Sequence, residues 1–341
     1  MSSVPVVETR DLTRHYGATV GVEGLSLRVE AGEIFGFLGP NGSGKSTTIR
    51  LLLDLIRPTR GQALLFGSAP SSPAVRARVG YLPGELTLDG RMTGRQTLLF
   101  LASLDGRSRM DREAGDGREE LCRRLGLEEE DLDRKIREYS RGMKQKLGLV
   151  GAFQSSPDLL ILDEPTTGLD PLVREGVLEL MIEARERGAT VFHSSHVLSE
   201  VDRTCDRVGI LRNGHLADLL TVEESRKAST RRMVVHFRES PPLAELAEAG
   251  VEVVDRQEGR LTLEVSDNLQ QLLKVLARHP VLHLGFPEPG LEEAFTDVYS
   301  GGGNGQRYEP DTGGRPGARK RSGAPGRSNT GPGRGEGGWE R

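Results

Sequence analysis

Nine residues from Gly39 to Thr47 read Gly-Pro-Asn-Gly-Ser-Gly-Lys-Ser-Thr. Gly39, Gly44, Lys45 and Ser46 stand at the fixed positions of the pattern Gly-x-x-x-x-Gly-Lys-[Ser/Thr]. Glycines let the backbone curl until successive N–H groups point at one anion, a following helix adds its positive N-terminus, and the lysine adds a full charge. This chemistry suits the phosphates of a nucleotide. Pro40, Asn41, Gly42, Ser43 and Thr47 complete the cradle, Lys45 meets the β and γ phosphates, and the Ser46 hydroxyl serves Mg²⁺. A second stretch, Leu159 to Pro165, reads Leu-Leu-Ile-Leu-Asp-Glu-Pro, an apolar strand ending in two carboxylates. In a parallel sheet such a strand delivers its last residues to the edge where ligands bind. Asp163 is then expected to hold Mg²⁺, and Glu164 to sit within hydrogen-bond reach of an attacking water as its general base.

Those residues need a scaffold, and the chain around them supplies one. Residues 4–30 alternate apolar and polar positions about a turn at His15 to Ala18, which predicts an opening antiparallel hairpin. A strand at Ile34 to Leu38 runs into the glycines, and helical periodicity takes over from Thr47 to Ile56. From about Gly84 to Phe153 the chain reads as helical and charged, a helical insert of about 86–155, with apolar stripes at Leu98, Leu99, Leu101 and at Leu121, Leu125, Leu127. The dense charge from Arg107 to Arg137 reads as a solvated face. Strands resume at Leu159 to Leu162, Thr190 to Phe192 and Arg207 to Leu211, with a helix at Val173 to Arg187 between the first two. The core is therefore α/β with a mainly parallel sheet.

Beyond residue 225 the pattern becomes strand Met233 to Phe237, helix Leu243 to Ala249, strand Val251 to Val254, strand Leu261 to Val265, helix Leu269 to Arg278 and strand Val281 to Phe286. That order is the split βαβ, ferredoxin-like signature of a small α+β domain at 230–300, closed by a short helix at Leu291 to Tyr299. Residues 301–341 are rich in Gly, Arg, Pro and Ser. They read as a disordered tail and soluble extension that cannot recover its ordering entropy by burial.

Composition narrows the function. A net charge of -4 with 28% charged residues argues against a protein built around nucleic-acid binding. Two cysteines, Cys122 and Cys205, have neither zinc spacing nor the density of a disulfide scaffold, which suits a reducing compartment. The first residues lack a signal peptide, and the longest apolar runs fall far short of a membrane span, so a cytoplasmic location is expected. His193 and His196 form His-x-x-His, but no third ligand cluster accompanies them, and a metal pair is disfavoured.

The segment Tyr139 to Lys146, Tyr-Ser-Arg-Gly-Met-Lys-Gln-Lys, resembles the signature motif of ATP-binding cassette (ABC) ATPases. Gly168-Leu169-Asp170 resembles the D-loop, His196 the switch histidine, and Tyr16 stands where an aromatic stacks on adenine. The set spans residues 4–225. Physically, Ser140 suits a helix N-cap and the N–H groups near Gly142 an anion site. The resemblance implies ATP and Mg²⁺ as cofactors, with Lys45, Glu164 and His196 in catalysis. It also implies Asp170 among the nucleotide-binding residues, and a head-to-tail dimer in which Ser140 and Gly142 of one copy complete the ATP site of the other. The partners implied are a second copy and an integral-membrane permease, which would hold the subunit on the cytoplasmic face of the membrane.

Two positions depart from the family pattern. Arg141 stands where the signature has glycine. In Val-Gly-Tyr-Leu-Pro-Gly-Glu, Gly84 takes the place of the usual Q-loop glutamine, and Glu85 is the nearest side chain able to replace it at Mg²⁺. The segment Pro289 to Phe295 resembles the ending of cassettes from bacterial multidrug and polyketide-antibiotic export systems, which favours export over import. The alternative, a soluble cassette acting on nucleic acid or the ribosome, usually carries long coiled coils or two cassettes, and neither is visible. A P-loop kinase or GTPase would lack the signature motif.

Overall fold

The computed structural model describes residues 4–104, 117–228, 231–257, 259–265 and 269–285. Strands β1 (Val7–Tyr16) and β2 (Thr19–Val29) form the expected hairpin, with Tyr16 opposite Thr19. Strand β3 (Ile34–Leu38) leads through the glycine loop into helix α1 (Lys45–Leu52). Strand β4 (Arg60–Leu65) pairs with the second edge of β1, giving a three-stranded antiparallel sheet ordered β2-β1-β4.

Helix α1 differs from the expected Thr47 to Ile56. Gly44 is its N-cap at φ 112°, so Lys45 and Ser46 already lie in the first turn, and Asp54 at φ 55° cannot continue a right-handed helix.

Helix α2 (Pro73–Arg76) and strand β5 (Val79–Leu82) precede the helical insert. The insert holds α3 (Gly94–Ala102), α4 (Arg118–Arg124), α5 (Glu129–Asp133), a 3₁₀ turn at Ile136–Glu138 and α6 (Arg141–Phe153). A capping box starts α3: the Thr93 hydroxyl accepts from Gln96 N–H, and the Gln96 side chain accepts from Thr93 N–H. Of the predicted stripes, Leu98, Leu125 and Leu127 are buried while Leu99 faces solvent. Part of the charged stretch pairs across elements, as Arg124 does with Glu183 at 2.7 Å.

The chain continues through β6 (Leu159–Asp163), α7 (Pro171–Glu186), β7 (Thr190–Ser195), α8 (Leu198–Thr204), β8 (Arg207–Arg212), β9 (His215–Thr221) and α9 (Val222–Ala228). These strands build a six-stranded sheet ordered β5-β6-β7-β3-β8-β9. Its pairs are parallel from β5 to β8, and β9 is antiparallel to β8.

Strands β3, β6 and β7 are buried at every residue, which is why they read as unbroken apolar runs. Their period of two still divides them between two cores. Ile34, Leu38, Leu160, Leu162 and Val191 pack with Leu98 and Leu147 of the insert and Val177 and Met181 of α7. Phe35, Phe37, Leu159, Ile161 and Phe192 pack with Leu12 and Leu25 of the hairpin and Ile49 of α1. Each such side chain contributes roughly 1.5–3 kcal/mol by burial. The sheet edge carrying Asp163 is thus set in a rigid double core.

The remaining described elements are β10 (Arg231–Phe237), α10 (Leu243–Glu248), β11 (Glu252–Gln257), β12 (Arg260–Val265), α11 (Leu269–Leu276) and β13 (Val281–Gly285). Their sheet runs β11-β12-β10-β13 with every neighbour antiparallel, the arrangement a split βαβ motif requires. A separate apolar core includes Met233, Val235, Leu261, Leu263 and Leu272. The helix expected at Leu291 to Tyr299 and the tail at 301–341 lie outside the described residues. Among the described residues, no helix is long and apolar enough to cross a membrane.

Candidate nucleotide site

The glycine loop leaves β3 at Gly39 and closes on α1 at Gly44. A Cβ at Gly44 would strike the carbonyl oxygen of Gly21, so only glycine admits this approach of loop to hairpin. The Lys45 ammonium is buried and donates to the Gly39 carbonyl at 2.7 Å and the Pro40 carbonyl at 3.2 Å. It also lies 3.6 Å from Glu164 Oε1. Ser43 Oγ is buried without a hydrogen-bond partner. A buried orphan hydroxyl and a lysine resting on its own loop are what a phosphate cradle offers to an incoming anion.

Across the cleft, β6 ends at the buried Asp163. The parallel register sets Asp163 beside Ser194 of β7. Ser194 Oγ donates to Asp163 Oδ1 at 2.6 Å and accepts from Glu164 N–H at 3.0 Å. Glu164 has φ 51°, a backbone state unusual outside glycine, and its carboxylate is surrounded by polar groups. Thr167 Oγ1 donates to Glu164 Oε2 at 3.1 Å, and His196 Nδ1 lies 3.5 Å from the same oxygen. One carboxylate therefore stands between the loop lysine and the predicted switch histidine.

A cleft of about 260 Å³ gathers Tyr16, Asn41, Gly42, Gly44, Lys45, Ser46, Thr47 and Glu164, together with Thr19, Val20 and Gly21 of the hairpin. Arg14 covers one face of the Tyr16 ring, its guanidinium carbon 4.8 Å from the ring centroid. A larger cleft of about 430 Å³ opens in the insert beside Leu98, Cys122 and Leu132, and none of the predicted site residues lines it.

Ser140, Gly142 and Asp170 do not line their own chain's cleft. Ser140 caps α6, its hydroxyl accepting from Met143 N–H at 3.1 Å. Gly142 packs on the D-loop: a Cβ there would lie 3.4 Å from the Gly168 carbonyl oxygen. Gln145, one turn further, donates to the Pro165 carbonyl at 3.1 Å. Asp170 caps α7 by accepting from Val173 N–H at 3.0 Å, and that bond holds its carboxyl below the usual range.

Gly84 is packed against Asp163, where a Cβ would lie 3.1 Å from Oδ2, while Glu85 is exposed. The two histidines of His-x-x-His diverge. His193 is buried with Nε2 3.1 Å from Cys205 Sγ, and burial pushes its pKa down to about 4. Ser194, Gln145 and Thr167 were not anticipated. The signal for Ser194 was the pairing of two parallel strands, which places it opposite Asp163 once their register is known.

Asp163 and Ser46 are hard oxygen donors, the kind Mg²⁺ prefers. Among the described residues no group of three or more His, Cys, Asp or Glu could hold a metal by itself. The donor set therefore fits a cation that completes its sphere with water and nucleotide phosphate.

A phosphate loop facing an acidic strand end on a parallel sheet defines a P-loop nucleotide-binding protein. The family model described as ABC transporter matches residues 22–167. The bacitracin transport ATP-binding protein BcrA of Bacillus licheniformis is 33% identical over 87% of this chain and 98% of its own length. The daunorubicin/doxorubicin resistance ATP-binding protein DrrA of Streptomyces peucetius is 35% identical over 85% of this chain and 91% of its own. A solved ATP-binding subunit of an ABC transporter is 34% identical with TM-score 0.60 over 65% of this chain and 92% of its own. A bacterial cassette solved as a dimer, 22% identical, shares the fold at TM-score 0.59 over 63% of this chain and 98% of its own. The chain belongs to the ABC transporter ATP-binding family and is an ATPase subunit of that kind.

Proposed function

We propose that two copies of this chain, bound to a separate integral-membrane permease on the cytoplasmic face, hydrolyse ATP to drive export of an antibiotic-like small molecule. The reading of export rests on near full-length likeness to proteins named for bacitracin transport and for daunorubicin/doxorubicin resistance. In the insert, α3 and the residues after it expose Leu99, Phe100 and Leu104, an apolar surface suited to a permease segment.

In this reading ATP lies along the cleft with its base on Tyr16 and its phosphates on the loop from Gly39 to Thr47. Lys45 exchanges its contacts with Gly39 and Pro40 for the β and γ phosphates. Ser46 and Asp163 would hold Mg²⁺, which neutralises developing phosphate charge when bound. Glu164 accepts a hydrogen bond from the attacking water and takes its proton, and His196 orients the same carboxylate and reaches the γ phosphate. Ser140, Gly142 and Asp170 act on the partner copy's ATP. That none of them lines its own chain's cleft supports that division.

The observation that carries the catalytic assignment is the setting of Glu164, with Lys45 3.6 Å from one carboxylate oxygen and His196 3.5 Å from the other. The test is Glu164→Gln, which keeps shape and hydrogen bonding but removes the base. Turnover should fall on the order of 10²- to 10⁴-fold while ATP binding persists. The variant should then elute at twice the monomer mass with ATP and not with ADP. Parental turnover would remove Glu164 from the chemistry.

A further inference from the structure

Ser194 is the least expected residue of the site. Its side chain is fully buried, so no bulk water competes for its hydrogen bonds. A serine hydroxyl has one proton and two lone pairs. Here the proton goes to Asp163 Oδ1 at 2.6 Å and a lone pair takes the Glu164 N–H at 3.0 Å. The first is a short, charge-assisted bond to a carboxylate that cannot return a proton. The second grips the backbone of a residue held at φ 51°, a state that persists only when its surroundings fix it.

The opposite side of Asp163 is also defined. Oδ2 lies against Gly84, close enough that even a Cβ would sit 3.1 Å away. Ser194 thus pins one carboxylate oxygen while glycine leaves room at the other. Because Asp163 and Glu164 are consecutive, a single hydroxyl sets the rotation of the first side chain and the backbone that aims the second. The register of β6 on β7 supplies that hydroxyl without any flexible linker.

We propose that Ser194 is a positioning residue for hydrolysis, orienting the Asp163 carboxylate toward the cation and holding Glu164 in the turn that presents it to water. This rests on the roles given above to Asp163 and Glu164. Phosphate binding by the glycine loop does not pass through Ser194.

The experiment compares full-length parental protein with Ser194→Ala, Ser194→Cys and Ser194→Thr. In Ser194→Ala the Mg²⁺ concentration for half-maximal ATP turnover should rise roughly 10- to 100-fold, as when an outer-shell partner of a metal ligand is removed. Its kcat at saturating Mg²⁺ should fall about tenfold, because Glu164 loses its anchor. Binding of a fluorescent ATP analogue in EDTA should match the parental value. Ser194→Thr, which keeps the hydroxyl, should restore both kinetic parameters. If Ser194→Ala does not fold, Ser194→Cys keeps the volume with a weak donor and should shift the Mg²⁺ requirement in the same direction. Parental Mg²⁺ dependence and kcat in a folded Ala or Cys variant overturn the proposal. So does loss of analogue binding in EDTA, which would assign the hydroxyl to the phosphate loop. A parental chain without Mg²⁺-dependent turnover would instead remove the roles of Asp163 and Glu164, and Ser194 with them.

Discussion

The sheets that carry the nucleotide site and the four-stranded sheet of residues 231–285 spend their interiors differently. Around β6 and β7 the core accepts Lys45, Ser43, Asp163, Thr166, His193, Ser194, Ser195 and Glu200 as buried polar or charged side chains. Among the described residues of 231–285 the buried side chains are all apolar, from Met233 to Leu276. Buried polar groups cost stability unless partnered. In the cassette Thr166 donates to Glu200 at 2.8 Å and Arg174 lies 3.4 Å from the other Glu200 oxygen as an ion pair, while Ser43 Oγ and His193 Nδ1 are buried without a hydrogen bond. The contrast separates a region shaped by chemistry from one shaped by packing. It can be broken by substitutions that should act on one region and leave the other untouched.

The largest effect is expected at Lys45. It is the buried cation of the cleft, and Lys45→Ala removes charge-assisted contacts to phosphate that backbone N–H groups cannot replace. Two such contacts at roughly 1.5–3 kcal/mol each imply at least about 10²-fold weaker ATP binding. Equilibrium titration with a fluorescent ATP analogue reads it, and near-parental affinity would sink the assignment of the loop.

The complementary substitution is Leu263→Ala, in the apolar core of the small domain. Leu263 is fully buried on β12, so truncation should cost that domain about 2–5 kcal/mol. Nucleotide affinity should stay parental if the proposed boundary near residue 230 separates two cores. Chemical denaturation and ATP-analogue titration on one sample decide it. Parallel loss of affinity in a folded variant would show that the two regions behave as one unit.

The site was more legible than the sheet around it. Gly39 to Thr47 and Asp163-Glu164 declare themselves because their chemistry demands fixed residue types at fixed spacing, and β3 and β6 because their burial makes unbroken apolar runs. Strand β4 escaped since Arg-Gly-Gln-Ala-Leu-Leu is half exposed and carries no alternation, and β5 is only four residues long. Strand β9 was hidden because its burial is uniform and partial, with no face favoured. Ser194 is a different case: its role comes from a neighbour 31 positions away in sequence, and only strand register reveals it. The elements of 231–285, by contrast, are legible where periodicity is clean: β12 alternates, with Leu261, Leu263 and Val265 buried, and α11 repeats its buried residues at helical spacing in Leu272, Val275 and Leu276.

The smallest effect concerns His193, a buried histidine the proposed chemistry does not use. Burial pushes its pKa from 6.5 down to about 4, because the imidazolium would have to be desolvated beside the Cys205 thiol. The unfolded chain takes a proton near pH 6.5 that the folded chain declines until about pH 4. The neutral ring's contribution is therefore complete above the unfolded value and is lost as pH falls through this window. Linkage puts the loss between pH 7 and pH 5 at about 2 kcal/mol. Carboxyls held low, such as Asp89 at about 2, titrate below the window and do not compete. His193→Leu removes the titration while keeping an apolar side chain, so urea unfolding of the cassette should lose about 2 kcal/mol less than the parental protein over the same pH step. An unchanged pH slope in His193→Leu would show that the histidine is not held neutral, and would erase one of the differences between the two interiors.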